Sequence, residues 1–383
     1  MNVIVLGTRG FPNIQGGLEK HSEKLYPLLA AMGVNITVIC RKNYFKKADR
    51  LKQWHGIRFI YLWSPKQQSL ETVVHTFLAC LIAIWKRPDI AHFHNMGPAL
   101  FLPLMKIFGI KTVFTYHSIN YLHNKWSLSA KIALRAGEYL GIRYANKVII
   151  VSNATRQYLL DKKIRKDLIY IPNGKEIPKA VKDTGLLNKF NLKKRKYVFT
   201  ATRFSAEKGV LDLIDAYNML DNPKFKLVIA GQADFTTNYS RKVIKIASGN
   251  PNIVLTGFRT GDELGQLYSN AGLFVLPSYS EGMSISMLEA ISYSLPICAS
   301  NIPQNREFML PDYRYFPPGS IPVLSEKLSE LFKKGIGWKE KKAMHRMLEE
   351  NYNWENIAKT TYDIYNDLHD HSSTKKQISG FRK

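Results

Sequence analysis

At 383 residues, 45% of them hydrophobic, the chain is long enough for two α/β domains with substantial cores, and its composition argues against a long disordered segment. Its three cysteines, Cys40, Cys80 and Cys298, lie far apart in apolar settings, which excludes a disulfide framework and points to reduced, buried thiols. The formal charge is +25, and residues 1–180 hold +18 of it, so the first half fits an anionic surface.

The chain opens on an apolar strand at 3–6 with no basic leader before it, so no signal peptide is expected and a cytosolic protein is. A turn, Thr8-Arg-Gly10-Phe-Pro-Asn-Ile-Gln-Gly16-Gly17, leads into an amphipathic helix over 18–32. Strand-like runs follow at 36–39, 59–62, 90–93, 112–115 and 147–151, with helical stretches between them. This βαβ succession predicts a mostly parallel sheet. The longest apolar run, 77–85, is too short to cross a bilayer. Pro172-Asn-Gly174 and the polar, basic stretch after it mark a linker at 171–195. Strands at 197–202, 225–230, 253–256, 273–276 and 296–299 then repeat the layout. The expected domains are 1–170 and 196–350, followed by a terminal helix at 351–369 and a disordered tail at 370–383. Two doubly wound domains facing one another create an interdomain cleft, a favoured place for a ligand.

Glycines at 16 and 17 let the backbone approach a phosphate or sugar, and the helix start behind them favours an anion. A plain tight turn is the competing reading. The pattern is not Gly-x-Gly-x-x-Gly, and Cys40-Arg41-Lys42 puts no acid after the second strand, so a dinucleotide dehydrogenase is disfavoured. His92 and His94 sit two apart on a strand, as a metal pair would. No Cys, His or acidic third ligand stands nearby in the sequence, and no metal site is expected. His117 follows the strand Lys111-Thr-Val-Phe-Thr-Tyr116 and can donate a hydrogen bond at its carboxyl end, although a lone histidine is more often structural.

Arg203 and Lys208 fall between a strand and a helix, in Arg203-Phe-Ser-Ala-Glu-Lys208-Gly209, where two cations can clamp a diphosphate. In so basic a chain an ordinary surface loop competes. Glu281-Gly-Met-Ser-Ile-Ser-Met-Leu-Glu289 places one carboxylate in the loop after a buried strand and the second one to two turns into the next helix. A sugar or ribose needs acceptors in pairs, and open α/β sheets bind ligands at this edge. Taken alone, the pair reads more readily as a solvent-facing helix residue, Glu289, and a helix-start acid, Glu281.

Together, the strand, Pro-Ser turn, Glu281-Gly and helix with Glu289, preceded by Arg203-x4-Lys208-Gly, resemble the signature of nucleotide-sugar glycosyltransferases with the GT-B fold. More narrowly they resemble family 4 of the retaining enzymes. The resemblance covers nearly the whole chain. The run Leu6-Gly-Thr-Arg-Gly-Phe-Pro through Gly16-Gly17-Leu-Glu-Lys also resembles a subgroup that includes rhamnosyltransferases of bacterial surface-polysaccharide assembly. The resemblance implies transfer of a hexose or deoxyhexose from a nucleotide-diphosphate sugar to a hydroxyl of a lipid-linked glycan acceptor, with retention and without a cofactor. Glu289 would bind the ribose, Arg203 and Lys208 the diphosphate, and Glu281 the donor sugar, assisted by backbone amides around Met283 and Ser284. Gly16 and Gly17 match the family's glycine loop at the donor diphosphate. His117 matches a histidine that contacts the transferred sugar near the reacting centre. Family members are thought to substitute on one face, the donor phosphate taking the acceptor's proton, so no nucleophilic residue is required. The terminal helix would cross back onto the first domain. Ser284 departs from the family's frequent Gly or Pro, which narrows backbone access to the donor. No Asp-x-Asp pair is present, Asp212 and Asp215 being spaced wrongly on a helix, so no required divalent cation is expected.

The basic first half needs a partner of its own. No zinc finger, RNP-like motif or helix-turn-helix pattern supports nucleic acid. In 121–143, Lys125, Lys131, Arg135 and Arg143 interleave with Trp126, Leu128, Ile132, Leu134 and Tyr139, and Glu138 is the one acid. Such a stretch can lie on anionic headgroups. Peripheral binding to the cytoplasmic leaflet is expected, with Lys125, Trp126, Lys131 and Arg135 facing it. Two alternatives compete. A GT-B-fold sugar-nucleotide epimerase would use the same cleft without an acceptor. A basic nucleic-acid-binding α/β protein would account for the charge but leave the Arg/Lys and Glu/Glu pairs unexplained.

Overall fold

The computed structural model describes residues 1–122, 126–178, 181 and 183–380. They fall into two compact units, the first holding Met1–Leu122, Trp126–Asn173 and the chain from Trp354 onward, the second holding Gly174–Asn353.

The first unit is built on β1 (Asn2–Leu6), β2 (Asn35–Arg41), β3 (Gln53–Trp54), β4 (Ile57–Leu62), β5 (Ile90–His94), β6 (Lys111–Tyr116), β7 (Lys147–Ile150) and β8 (Leu168–Tyr170). They form one sheet in the order β3-β4-β2-β1-β5-β6-β7-β8, parallel except for β3 against β4. Its helices are α1 (Gly17–Ala31), α2 (Gln68–Lys86), α3 (Met96–Ala99), α4 (Leu102–Ile107), α5 (Leu128–Tyr144) and α6 (Asn153–Asp161). β1 explains the two layers. Val3 and Val5 point into the core under α1, while Ile4 and Leu6 point into the core under α2 to α5. A strand covered on both faces must read as a continuous apolar run, and each such side chain contributes roughly 1.5–3 kcal/mol on burial.

The second unit carries β9 (Tyr197–Ala201), β10 (Lys226–Ala230), β11 (Ile253–Gly257), β12 (Leu273–Leu276), β13 (Ile297–Ser300) and β14 (Tyr315–Phe316), all parallel in the order β11-β10-β9-β12-β13-β14. Around them lie α7 (Gly185–Lys189), α8 (Val210–Asn218), α9 (Asn238–Ser248), α10 (Gly261–Asn270), α11 (Ile285–Ser292), α12 (Pro303–Arg306), α13 (Ile321–Lys334) and α14 (Trp338–Asn351). Much of the stretch read as a linker belongs to this unit. Leu186, Leu187 and Leu192 are buried in it, and Leu186 N donates to Gln266 Oε1 at 3.0 Å.

The last helix, α15 (Trp354–Gly380), packs on α1 and sends Trp354, Ile357, Tyr365 and Leu368 into the first unit's core. It continues to Gly380, across most of the stretch read as a disordered tail, whose last residues lie outside the described ones.

Both sheets reverse their winding direction at a central strand. In the first, β1 has β2 on one side and β5 on the other; in the second, β9 has β10 and β12. Loops leaving these strands at their carboxyl ends are where such sheets hold ligands.

Candidate functional site

In the second unit the loops after β9 and β12 carry Arg203, Lys208 and Glu281. Lys208 ends a short 3-10 turn, and its Nζ lies 2.7 and 2.8 Å from the two carboxylate oxygens of Glu281. Glu281 is buried and Lys208 largely so. Charge-assisted bonds of this kind are strong, and much of the desolvation of both ions has already been met in the free protein. The backbone braces the same two loops. Tyr279 N donates to Glu207 O at 2.9 Å. Gly209, at φ +63°, lets the Pro277 carbonyl approach so closely that a Cβ would overlap it. Arg203 is paired elsewhere: its Nη1 donates to Asp234 Oδ2 at 2.9 Å, from the loop after β10. Asp234 carried no signal in the sequence.

Ser284 caps α11, its Oγ accepting from Met287 N at 3.3 Å, so the residue that departs from the family pattern has a structural task. Met283 and Ser284 are both buried. Glu289 lies in the second turn of α11, also buried, with Lys175 Nζ 3.4 Å from Oε1. The Tyr268 hydroxyl lies near Glu289 but donates to Ser286 O at 3.2 Å; burial first, and then that carboxylate, push the phenol well above its ordinary range. Lys175 was missed because it stands in the Pro- and Gly-punctuated stretch read as linker.

In the first unit Gly16 precedes α1 at φ +149°, and a Cβ there would run into the Glu19 carboxylate. Glu19 is buried, and its Oε1 accepts from Arg9 N at 3.2 Å, closing the loop that leaves β1. The chain's own carboxylate therefore stands beside Gly16 and Gly17, at the helix end that favours an anion. This gives Gly16 a structural reason independent of any ligand.

His117 follows β6, half-buried, with Nε2 2.9 Å from Nδ1 of His94 on β5. His94 Nε2 lies 2.5 Å from the Tyr26 hydroxyl. That hydroxyl is 3.2 Å from His92 Nδ1, which is 2.6 Å from the Tyr365 hydroxyl, and His92 Nε2 is 2.7 Å from Thr115 Oγ1. His21 of α1 joins the group, its ring centre 5.1 Å from that of His117 and its Nδ1 2.8 Å from Asn173 Oδ1. Burial keeps all four imidazoles neutral. It pulls His21 down to about 4 and His92 to about 3, and holds His94 and His117 well below the ordinary 6.5. His92 and His94 thus part company: His92 is a core residue tied to α15, while His94 meets the two histidines that its sequence neighbourhood lacked.

The basic stretch 121–143 forms most of α5, capped by Ser127 Oγ accepting from Ala130 N at 3.3 Å. Its one acid, Glu138, turns inward, accepts from the Tyr116 hydroxyl at 2.5 Å and pairs with Lys162. The outward stripe of Leu128, Ile132, Arg135, Tyr139 and Arg143 is left without an acid. Trp126 and Lys131 are half-buried, Arg135 lies over the Tyr121 ring at 5.2 Å, and Lys125 lies outside the described residues. α2, in the same layer, adds a stripe of Leu70, Val73, Phe77, Leu81 and Trp85, the last 79% exposed; the sequence reading had taken only 77–85, as an apolar run. Ile107 and Phe108 at the end of α4, which packs on both α2 and α5, are 78% and 55% exposed. Exposed apolar side chains on neighbouring helices are uncommon on a soluble surface. No described helix is long and apolar enough to cross a membrane.

Residues 15–176 match the family described as Glycosyltransferase Family 4, and residues 186–354 match Glycosyl transferases group 1. The chain is 21% identical over 378 residues to the O-antigen chain mannosyltransferase B of Escherichia coli, covering 89% of this chain and 96% of that protein. It is 26% identical over 244 residues to an E. coli UDP-Gal:alpha-D-GlcNAc-diphosphoundecaprenol alpha-1,3-galactosyltransferase, covering 59% of this chain and 62% of the other. Sucrose-phosphate synthase from Thermosynechococcus elongatus has the same architecture, with a TM-score of 0.81 at 20% identity over 97% of this chain and 99% of that one. Two Rossmann-like domains with parallel sheets and these two family matches make the chain a GT-B-fold glycosyltransferase, a member of the group 1 and family 4 glycosyltransferases.

Proposed function

We propose that this glycosyltransferase moves a hexose or deoxyhexose from a nucleotide-diphosphate sugar to a hydroxyl of a lipid-linked glycan during bacterial surface-polysaccharide synthesis, with retention and without a required metal ion. The observation that carries the proposal is the Lys208–Glu281 pair at the carboxyl edge where β9 meets β12. A diphosphate can take Lys208 from Glu281 and free that carboxylate for the sugar's hydroxyls, so one exchange of partners readies both groups. Glu289, held by Lys175, keeps acceptor capacity for the ribose. Arg203 and Lys208 stabilise the leaving diphosphate, and the backbone around Met283 and Ser284 steadies the donor sugar. Gly16 and Gly17 serve the donor diphosphate. His117 donates to the transferred sugar, and the leaving phosphate oxygen takes the acceptor's proton. The donor and the lipid diphosphate acceptor named for the galactosyltransferase relative support this reading. Melting the protein against UDP, GDP, dTDP and ADP and their sugars tests it. One base series should raise the melting temperature, since a ligand bound only to the native state must stabilise it. A folded sample that ignores every series refutes the donor assignment.

We also propose that the chain works at the cytoplasmic face of the membrane, held there by the acid-free face of α5 and the apolar stripe of α2. Leu128, Ile132 and Trp85 enter the headgroup region while Lys86, Arg87, Lys106, Arg135 and Arg143 meet anionic lipid. Co-sedimentation with phosphatidylglycerol vesicles should be strong at low salt, weaken as salt rises, and fall several-fold in Trp85→Glu. Equal binding to neutral vesicles would refute the electrostatic part, and no binding to either would remove the membrane role.

A further inference from the structure

One ring nitrogen from each of His21, His94 and His117 falls within 4.8 Å of the other two, although the residues come from α1, β5 and the end of β6. A second observation concerns the lone pairs. His21 is almost fully buried, its Nδ1 is committed to the Asn173 side-chain oxygen, and its Nε2 has no hydrogen-bond partner among the described residues. An Nδ1–H donated to an amide oxygen leaves Nε2 as a bare acceptor, and a buried acceptor without a donor costs stability unless something occupies it. His94 is oriented in the same way, its Nε2 on the Tyr26 hydroxyl and its Nδ1 toward His117. Ligating histidines characteristically have the second nitrogen fixed by an oxygen of this kind. We propose that His21, His94 and His117 form a site for a divalent transition-metal ion of the zinc class, with half-buried His117 leaving a fourth position open to solvent. Zinc–nitrogen bonds of about 2.0–2.1 Å put tetrahedral ligand atoms roughly 3.3 Å apart, so the 2.9 Å His94–His117 contact must open slightly as His21 closes in. The proton shared between His94 and His117 needs only to move to the far nitrogen of one ring, so an ion can enter without net proton release from neutral imidazoles. An ion seated there engages His117 and withdraws it from the transferred sugar. That consequence alone rests on the proposed function; the site itself does not.

Titrating the untagged, metal-free full-length protein with cobalt(II), and then displacing it with zinc, tests the site. One cobalt per chain with the intense visible absorption of a tetrahedral nitrogen site is expected. His21→Gln should weaken binding at least tenfold, and Asn173→Ala, which removes the side-chain amide that orients His21 and leaves all three histidines in place, about tenfold. The wild-type melting temperature should rise with zinc and that of His21→Gln should not. If His21→Gln fails to fold, Asn173→Ala decides. No absorption in the wild type, or equal affinity in the folded variants, overturns the site. Zinc at saturation should also lower transfer at least tenfold, reversibly with a chelator and less so in the variants. Binding with undiminished transfer would leave the site standing and remove His117 from contact with the sugar.

Discussion

The two units prepare their polar groups in opposite electrical states. The second unit keeps Lys208 with Glu281, Lys175 with Glu289 and Arg203 with Asp234, each cation matched to a carboxylate from another segment. The first unit gathers four histidines that burial keeps neutral. Paired charges at loop ends remain charged and can change partners when an anionic ligand arrives, because their desolvation is largely met before binding. Neutral buried rings can do no such exchange; they offer directed hydrogen bonds and lone pairs. The second unit should therefore answer to charge substitutions, and the first to pH.

The largest effect is expected at Glu281→Gln. Removing the carboxylate while keeping its size should lower turnover by about 10²–10³, on the order of 2.7–4 kcal/mol of transition-state stabilisation, with the melting temperature within a few degrees of wild type. Steady-state kinetics beside a melting curve checks both halves. A large loss of stability with turnover per folded molecule intact would make the Lys208–Glu281 pair a brace between loops and nothing more. Next comes Lys208→Ala, expected to weaken nucleoside diphosphate binding 10- to 100-fold, about 1.4–2.8 kcal/mol, while binding of the free nucleoside changes less than twofold. Calorimetry on the two ligands separates these cases, and equal weakening would take the diphosphate away from Lys208.

The most gradual effect, spread over several pH units, sharpens the other side of the comparison. His21 titrates near 4 and His92 near 3 in the folded protein, against about 6.5 when unfolded. As pH falls below 6.5 the unfolded chain takes up protons that the folded one refuses. Stability from these rings is thus complete above pH 6.5 and is lost downward through the window to about 3, by about 1.4 kcal/mol per pH unit for each histidine. Denaturant melts of metal-free protein between pH 7.5 and 4.5 should show the midpoint falling, and His92→Gln should flatten that slope. A slope unchanged by the substitution would mean that His92 does not carry the acid sensitivity assigned to it.

Much of the fold was legible in the sequence. Strand 273–276 has the observed bounds of β12, and the other expected strands overlap observed ones, because a strand buried on both faces writes an apolar run into the chain. The strands that escaped, β3, β8 and β14, have two or three residues, too few to carry a period. Buried Leu186 and Leu187 were lost in a polar stretch for the same reason. Arg203, Lys208, Glu281 and Glu289 were singled out through motif spacing, but the pairings they make were not legible. Lys208 meets Glu281 across 73 positions, and Lys175 meets Glu289 across 114.

Local features are written in the sequence: the order of strands and helices, the loops that carry the ionisable groups, and the family they resemble. Tertiary structure alone decided which of those groups touch. Parallel order places β1 beside β5 and β5 beside β6, which brings His94 to His117, and α1 crossing that face delivers His21. The same packing turned Glu138 inward and left the apolar stripe of α2 facing out. Periodicity reports how a residue sits on its own element, whereas a contact between elements depends on strand order and helix packing, which no local pattern records.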